Sequence, residues 1–294
     1  MRSILLKDIS PAAAQNFLQH AIAPRPICFA STVDLAGNVN LSPFSFFNLF
    51  STNPAIIVFS PSRRGRDNTT KHTLQNILEV PEVVVNMVSY AMVQQTSLAS
   101  CEFPKGTDEF FKTGFTKIPS ILVTPPRVKE SPVQLECKVL EVKPLGTQGG
   151  AGNLVIAEVL MMHINEHILN ENGNIDQQKL DLVARLGGNW YTRANASTIF
   201  EVEKPNTEIG IGVDALPFNI RNSKVLTGNN LGLLSNIQSM PFIDPAFEDE
   251  KLKNIFQYYA TDPAEMEKEL HTYARELLDA GKVREAWQVL LTLD

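Results

Sequence analysis

Between Arg63 and Thr73 the sequence reads RRGRDNTTKHT, with cations at Arg63, Arg64, Arg66 and Lys71, His72 beside them, and Asp67 as the one acid. The whole chain carries a net charge of −6, so this positive charge is a local concentration. Guanidinium, ammonium and hydroxyl groups ahead of a predicted helix are a donor set for a phosphate. The free N–H groups and dipole of a helix start add to the attraction. The G-x-x-x-x-G-K-[ST] pattern of a P-loop is absent. A solvated polar loop is the competing reading, because charged surface loops are common. Residues 242–294 hold 12 acids and 6 bases, which accounts for the entire net charge and leaves residues 1–241 neutral. One basic loop on a neutral body suits a single small anion; nucleic acid would call for a basic face.

A second stretch with chemical character is NLSPFSFFNLFSTNP at residues 40–54, four phenylalanines interleaved with serines, asparagines and prolines. A flat aromatic ligand needs this mixture, with rings to cover a face and backbone or hydroxyl groups at an edge. An irregular core strand is the alternative. His163 and His167 have the i, i+4 spacing of helical metal ligands, but their segment alternates as a strand and offers no third ligand, so no metal site is expected. GTQGGAGN at 146–153 lacks the spacing and following helix of a dinucleotide fingerprint and reads as a hairpin loop. No Ser-His-Asp arrangement is evident, and none of Cys28, Cys101 and Cys137 has a basic sequence context that would activate it.

The elements that must position these residues are mainly strands. Ser10-Pro11 predicts an N-capped first helix. RPICFASTVD, VNLS, AIIVFS, EVVVNMVS, PVQLECKVLEVKPLG and NLVIAEVLMMHINEHIL read as strands, with a hairpin turn at LAGN. A short helix is expected from Thr73 to Val80, capped by Thr69 or Thr70. Strands joined by hairpins with few intervening helices predict an antiparallel barrel in place of a doubly wound sheet. The Gly/Asn-rich stretches IGIGVDALPFNIRNS and TGNNLGLLSN have no clear period. From Glu248 the chain reads as helices, ending in an αα-hairpin. Leu270, Tyr273, Ala274, Leu277 and Leu278 form one apolar stripe, and Val283, Ala286, Trp287 and Leu290 the other. Two short helices bury little, so this pair is expected to dock on the barrel or on a partner subunit. The three cysteines lack metal-ligand spacing and the N-terminus lacks a long apolar run. Together these point to reduced thiols in a cytoplasmic protein without a membrane span.

Taken in order, APRPI (23–27), the 40–54 stretch, KHTLQNI (71–77), FPKGTDEF (103–110), PPRVKESPVQLEC (125–137) and ARLGGNWY (184–191) resemble the flavin reductase-like family of FMN-binding split β-barrels. The resemblance covers residues 10–205; His72 departs from it, an acid being usual there. It implies a mainly β fold with peripheral helices: a six-stranded, antiparallel Greek-key split barrel over residues 1–205; the extension over 206–294, mostly helical by its own pattern, lies outside the resemblance. It further implies a homodimer binding FMN near the subunit interface, with NADH or NADPH as electron donor. Ser60, Arg63, Lys71, His72 and Thr73 would contact the phosphate. Asn40, Ser42, Phe44, Ser45 and Phe46 would line the isoalloxazine, and Arg185, Gly187 and Tyr191 would complete the pocket from the partner subunit. No catalytic side chain is implied, because the flavin carries the electrons. An FMN-carrying electron-transfer protein without nicotinamide activity, or a non-redox binding module on the same barrel, would use the same residues. The acidic terminal helices could serve a protein partner; neither nucleic acid nor membrane is expected.

Overall fold

The computed structural model describes residues 1–202 and 208–293. The chain forms two compact units, Met1–Phe200 and Glu201–Asp294. The boundary expected between residues 205 and 206 lies outside the described residues.

The first unit begins with α1 (Pro11–Ala21), capped as Ser10-Pro11 predicts: the Ser10 hydroxyl accepts a hydrogen bond from Ala13 N–H at 3.2 Å. β1 (Cys28–Val33) and β2 (Val39–Phe44) form the expected hairpin, turned at Gly37, whose φ of +83° suits a residue without Cβ. β3 (Phe47–Thr52) and β4 (Ala55–Phe59) form the next hairpin. After β4 come α2 (His72–Glu79), β5 (Glu82–Met87), α3 (Val93–Leu98) and α4 (Glu109–Thr113). The short strands β6 (Lys117–Ile118) and β7 (Arg127–Val128) pair with each other. β8 (Val133–Pro144) and β9 (Asn153–Ile164) make a long hairpin, followed by α5 (Gln177–Leu180) and the ribbon β10 (Val183–Arg185) and β11 (Tyr191–Arg193).

The main sheet has seven strands in the order β2-β1-β5-β8-β9-β4-β3, antiparallel at every pairing. Its two edge strands, β2 and β3, are consecutive in the chain and separated only by Ser45 and Phe46. So short a link brings the ends of the sheet within about one strand spacing or two. The sheet therefore curls until its edges meet without pairing, which is a split barrel. It has one strand more than the six expected, because residues 40–54 fold as two strands.

β1 is buried along its whole length because both of its faces are covered. Cys28 and Ala30 point into the barrel with Phe59, Val83, Val85 and Val155. Phe29, on the opposite face, packs in a second cluster with Leu41, Phe110 and Phe115, the ring centroids of Phe29 and Phe115 lying 5.3 Å apart.

The second unit contains α6 (Phe218–Arg221), α7 (Gly228–Ser235), α8 (Glu250–Tyr258), α9 (Pro263–Asp279) and α10 (Val283–Leu290). The stripe on α9 and α10 is buried as the spacing predicts, with Val283 partly so. Its cover comes from within the unit: Leu216, Ile220, Leu226, Leu234, Leu252 and Ile255 join Leu270, Ala274, Trp287 and Leu290 in one core. Leu216 to Ile255 therefore supply cover that the sequence reading looked for on the barrel or a partner subunit. Among the described residues, no helix is long and apolar enough to cross a membrane.

Candidate functional site

The cationic loop is shaped by its own polar groups. Asp67 accepts hydrogen bonds from Thr69 N–H at 3.0 Å and Thr69 hydroxyl at 2.6 Å, and these bonds hold its carboxyl at about 2. Asn68 sits in the left-handed region (φ 58°). Arg63 donates to its side-chain and main-chain oxygens, both at 2.6 Å. Arg64 donates to Thr69 Oγ1 at 2.9 Å and Thr70 O at 2.7 Å. The threonines are thus engaged elsewhere, and neither caps α2. Lys71 occupies the N-cap position, and no side chain caps the helix. The sequence expectation of a threonine cap is corrected: the helix starts one residue earlier than predicted, and among the described residues His72 and Thr73 N–H find no acceptor, while Leu74 N–H donates to Lys71 O at 3.0 Å.

This helix start borders a small cavity of about 20 Å³ lined by Asn40, Ser42, Arg64, Lys71, His72 and Thr73 together with Ser100, Glu102 and Glu109. Burial pulls the Lys71 ammonium below its ordinary pKa, with Arg64 adding repulsion; Glu102 opposes the shift. His72 is lowered by burial first, then by Arg64, Lys105 and Lys71. Positive charge is crowded here, a setting that favours an anionic ligand.

Behind the cavity lies a buried polar chain. Thr73 donates to Asn40 Oδ1 at 2.6 Å, and Asn40 Nδ2 donates to Glu109 Oε1 at 3.0 Å. Leu41 N–H donates to Glu109 Oε2 at 3.0 Å. α4 delivers Glu109 because Asp108 caps its start and Gly114, in the left-handed region, ends it. The chain fixes β2 to α2 and α4, so the strand leading to Phe44 and the helix start at Lys71 hold one geometry.

Further along β2, a cavity of about 210 Å³ is lined by Arg25, Phe44, Ser45, Ser100, Arg185 and Tyr191, among others. Ser100 lines both cavities. The β10–β11 ribbon places Arg185 opposite Tyr191; Arg185 donates to the Tyr191 hydroxyl at 2.5 Å and to Gly188 O at 2.7 Å, with its guanidinium 4.6 Å from the tyrosine ring centroid. Arg25 is buried; its terminal nitrogens donate to the carbonyls of Gln19, Ile22 and Leu186, while its Nε has no partner among the described residues. A third cavity, about 340 Å³, shares Val93, Ser97, Arg185 and Tyr191 with the second. Arg185 and Tyr191 thus line one cavity with Phe44 and Ser45 within a single chain.

The structure therefore gathers Asn40, Ser42, Lys71, His72 and Thr73 at one end, and Phe44, Ser45, Arg185 and Tyr191 at the other. Four expected residues lie outside these linings. Phe46 is partly exposed, with its carbonyl accepting from Ser60 N–H at 2.9 Å. Ser60 is buried against Gly152 of the β8–β9 turn, and Arg63 is committed to Asn68. Gly187 is a packing position: a Cβ there would stand 2.2 Å from the His20 ring. Sequence reasoning missed Arg25, Ser100, Glu102 and Glu109. Arg25 and Glu109 lay inside the quoted motifs APRPI and FPKGTDEF, but only the fold shows their burial.

The profile of the flavin reductase like domain family matches residues 20–181. An uncharacterized protein of Aquifex aeolicus is 38% identical over 173 residues, 59% of this chain and 86% of that protein. Nitrilotriacetate monooxygenase component B from Bacillus cereus superposes with a TM-score of 0.64 at 29% identity, covering 69% of this chain and 98% of the other. The 2-nitrobenzoate 2-nitroreductase of Pseudomonas fluorescens shares the fold, with a TM-score of 0.63 at 24% identity over 72% of this chain and all of that one (100%). The chain belongs to the flavin reductase-like family, and its first unit is the split barrel of that family.

Proposed function

We propose that the protein binds FMN across the two cavities that both reach Ser100 and acts as an NAD(P)H-dependent flavin oxidoreductase. The observation that carries this reading is the pairing of an uncapped helix start, crowded by Arg64, Lys71 and His72, with an aromatic and arginine-lined cavity that shares Ser100 with it. Family membership and the likeness to a monooxygenase component B support it. The residues fit the group. Lys71 and the α2 N–H groups suit a phosphate dianion; Thr73 contributes its N–H, since its hydroxyl is given to Asn40. Phe44, Ser45 and Tyr191 suit a flat ring with a polar edge, and the unpartnered Arg25 Nε suits an acceptor in the buried wall. When bound, FMN supplies the hydride chemistry. The side chains bind, orient and place donors where negative charge accumulates, so no general acid or base is assigned. A homodimer is part of the proposal: β3 presents Leu49 and Phe50 at 56% and 68% exposure, a face that a second copy would cover. The absorption spectrum of the FMN-loaded protein, followed without air as NADH or NADPH is added, tests the reading. Bleaching by either nucleotide is expected. Bound flavin that neither nucleotide reduces would leave an electron carrier, and failure to bind flavin would remove the proposal.

A further inference from the structure

One carboxylate intrudes on the cationic end of the site. Glu102 Oε1 accepts from Arg64 Nε at 3.0 Å and stands 3.9 Å from Lys71 Nζ; its other oxygen pairs with Arg66 Nη2. Arg64 is largely buried (13% side-chain exposure) and Glu102 about one-third exposed (35%), so the pairing is not fully screened by solvent. Arg64, Lys71 and Glu102 all line the small cavity at the start of α2. Carboxylate and phosphate oxygens accept from the same donors, so any phosphate drawn to this cavity meets an acceptor already in place.

Arg64, Arg66 and Lys71 bring three positive charges; Glu102, and Asp67 paired with Arg66, remove two. The remaining charge of about +1 falls short of the roughly −1.5 to −2 that a phosphomonoester carries near neutral pH, and Glu102 is the carboxylate that lies in the cavity itself. The backbone that presents Glu102 is fixed independently of its side chain. Leaving α3, Ala99 N–H donates to Gln95 O, Ser100 N–H to Ser97 O, Cys101 N–H to Leu98 O, and Phe103 N–H to Cys101 O at 2.9 Å.

We propose that Glu102 is a built-in counter-anion that competes with the flavin phosphate for Arg64 and Lys71 and so sets how tightly FMN is held. This rests on the FMN reading above. The contrary role, a brace that holds the arginines ready for the phosphate, predicts the opposite sign. FMN and riboflavin titrations of the full chain and of Glu102→Gln separate the two, with thermal melting to confirm folding. The competitor role predicts that the variant binds FMN more tightly, on the order of three- to tenfold, the scale of a partly exposed ion pair. Riboflavin affinity stays unchanged, and the salt dependence of FMN binding steepens because one more cation faces the ligand. Glu102→Asp, which keeps the charge on a shorter arm, should fall between. An FMN affinity that is unchanged or weakened in a folded Glu102→Gln protein overturns the proposal. Equal wild-type affinities for FMN and riboflavin would instead overturn the phosphate reading on which it rests.

Discussion

Replacing Glu109 by alanine tests whether the buried chain from Thr73 to β2 holds the site in shape. Glu109 is 4% exposed, and its two oxygens accept from Asn40 Nδ2 and Leu41 N–H, both at 3.0 Å. Alanine leaves two buried donors without acceptors, each costing about 1–3 kcal/mol. The expected loss is roughly 2–5 kcal/mol, near the upper end for single substitutions. For a unit of this size that lowers the melting temperature by roughly 5–15 °C. Glutamine should cost less, because it keeps one acceptor. Burial raises the Glu109 carboxyl above 4.5, its ordinary value. A raised native pKa means the native state binds this proton more tightly than the unfolded chain. That contribution is complete below pH 4.5 and is lost as pH rises through the native value. Circular dichroism melts of wild type and both variants at two pH values, paired with FMN titrations, measure all of this. FMN affinity should fall with stability, since Asn40 and Thr73 lose their anchor. An alanine variant that melts with wild type, or melts above the glutamine variant, refutes the reasoning.

Gly187→Ala should loosen the contact between α1 and the β10–β11 turn, because the new Cβ would stand 2.2 Å from the His20 ring; a lowered melting temperature together with weaker flavin binding checks it. His72 is held below 6.5 by burial, then by Arg64, Lys105 and Lys71, while Glu102 and Glu109 line the same cavity. Its native-state stability contribution is therefore complete above pH 6.5 and declines as pH falls through the native value. A bound phosphate raises that pKa, so FMN affinity should increase as pH drops from 8 toward about 6, where the phosphate itself gains a proton. Riboflavin titrations should show no such slope, and His72→Asn should remove it. In the second unit, Leu270 is fully buried, and Leu270→Ala should cost about 2–5 kcal/mol in a denaturant titration while leaving flavin affinity intact.

Local signals carried far in this sequence. Ser10-Pro11 set the start of α1, Gly37 the first hairpin, and Gly281, with φ of +74°, the turn between α9 and α10. What stayed hidden depended on distant partners. The 40–54 stretch looked like one irregular segment because a register shift between Leu49 and Ser51 breaks its alternation. The cationic loop looked like a single phosphate grip, yet Arg63 serves Asn68 and Arg64 meets Glu102, 38 residues away. The Gly/Asn-rich stretch before the terminal helices gave no period. Packing still makes short helices of it, with Thr227 and Asn230 forming a capping box, and it supplies Leu216, Ile220, Leu226 and Leu234 to the core. No sequence pattern says which chain delivers Arg185 and Tyr191.

The central claim is that the cationic helix start holds the phosphate of a flavin. The most direct measurement is the ratio of FMN to riboflavin affinity in wild type and in Lys71→Ala, read by quenching of flavin fluorescence. The account predicts a clear preference for FMN in wild type. Losing Lys71 should weaken FMN by about 1–3 kcal/mol, roughly 5- to 150-fold, and leave riboflavin unchanged. Equal wild-type affinities for the two flavins, or an FMN preference that survives intact in Lys71→Ala, would contradict it.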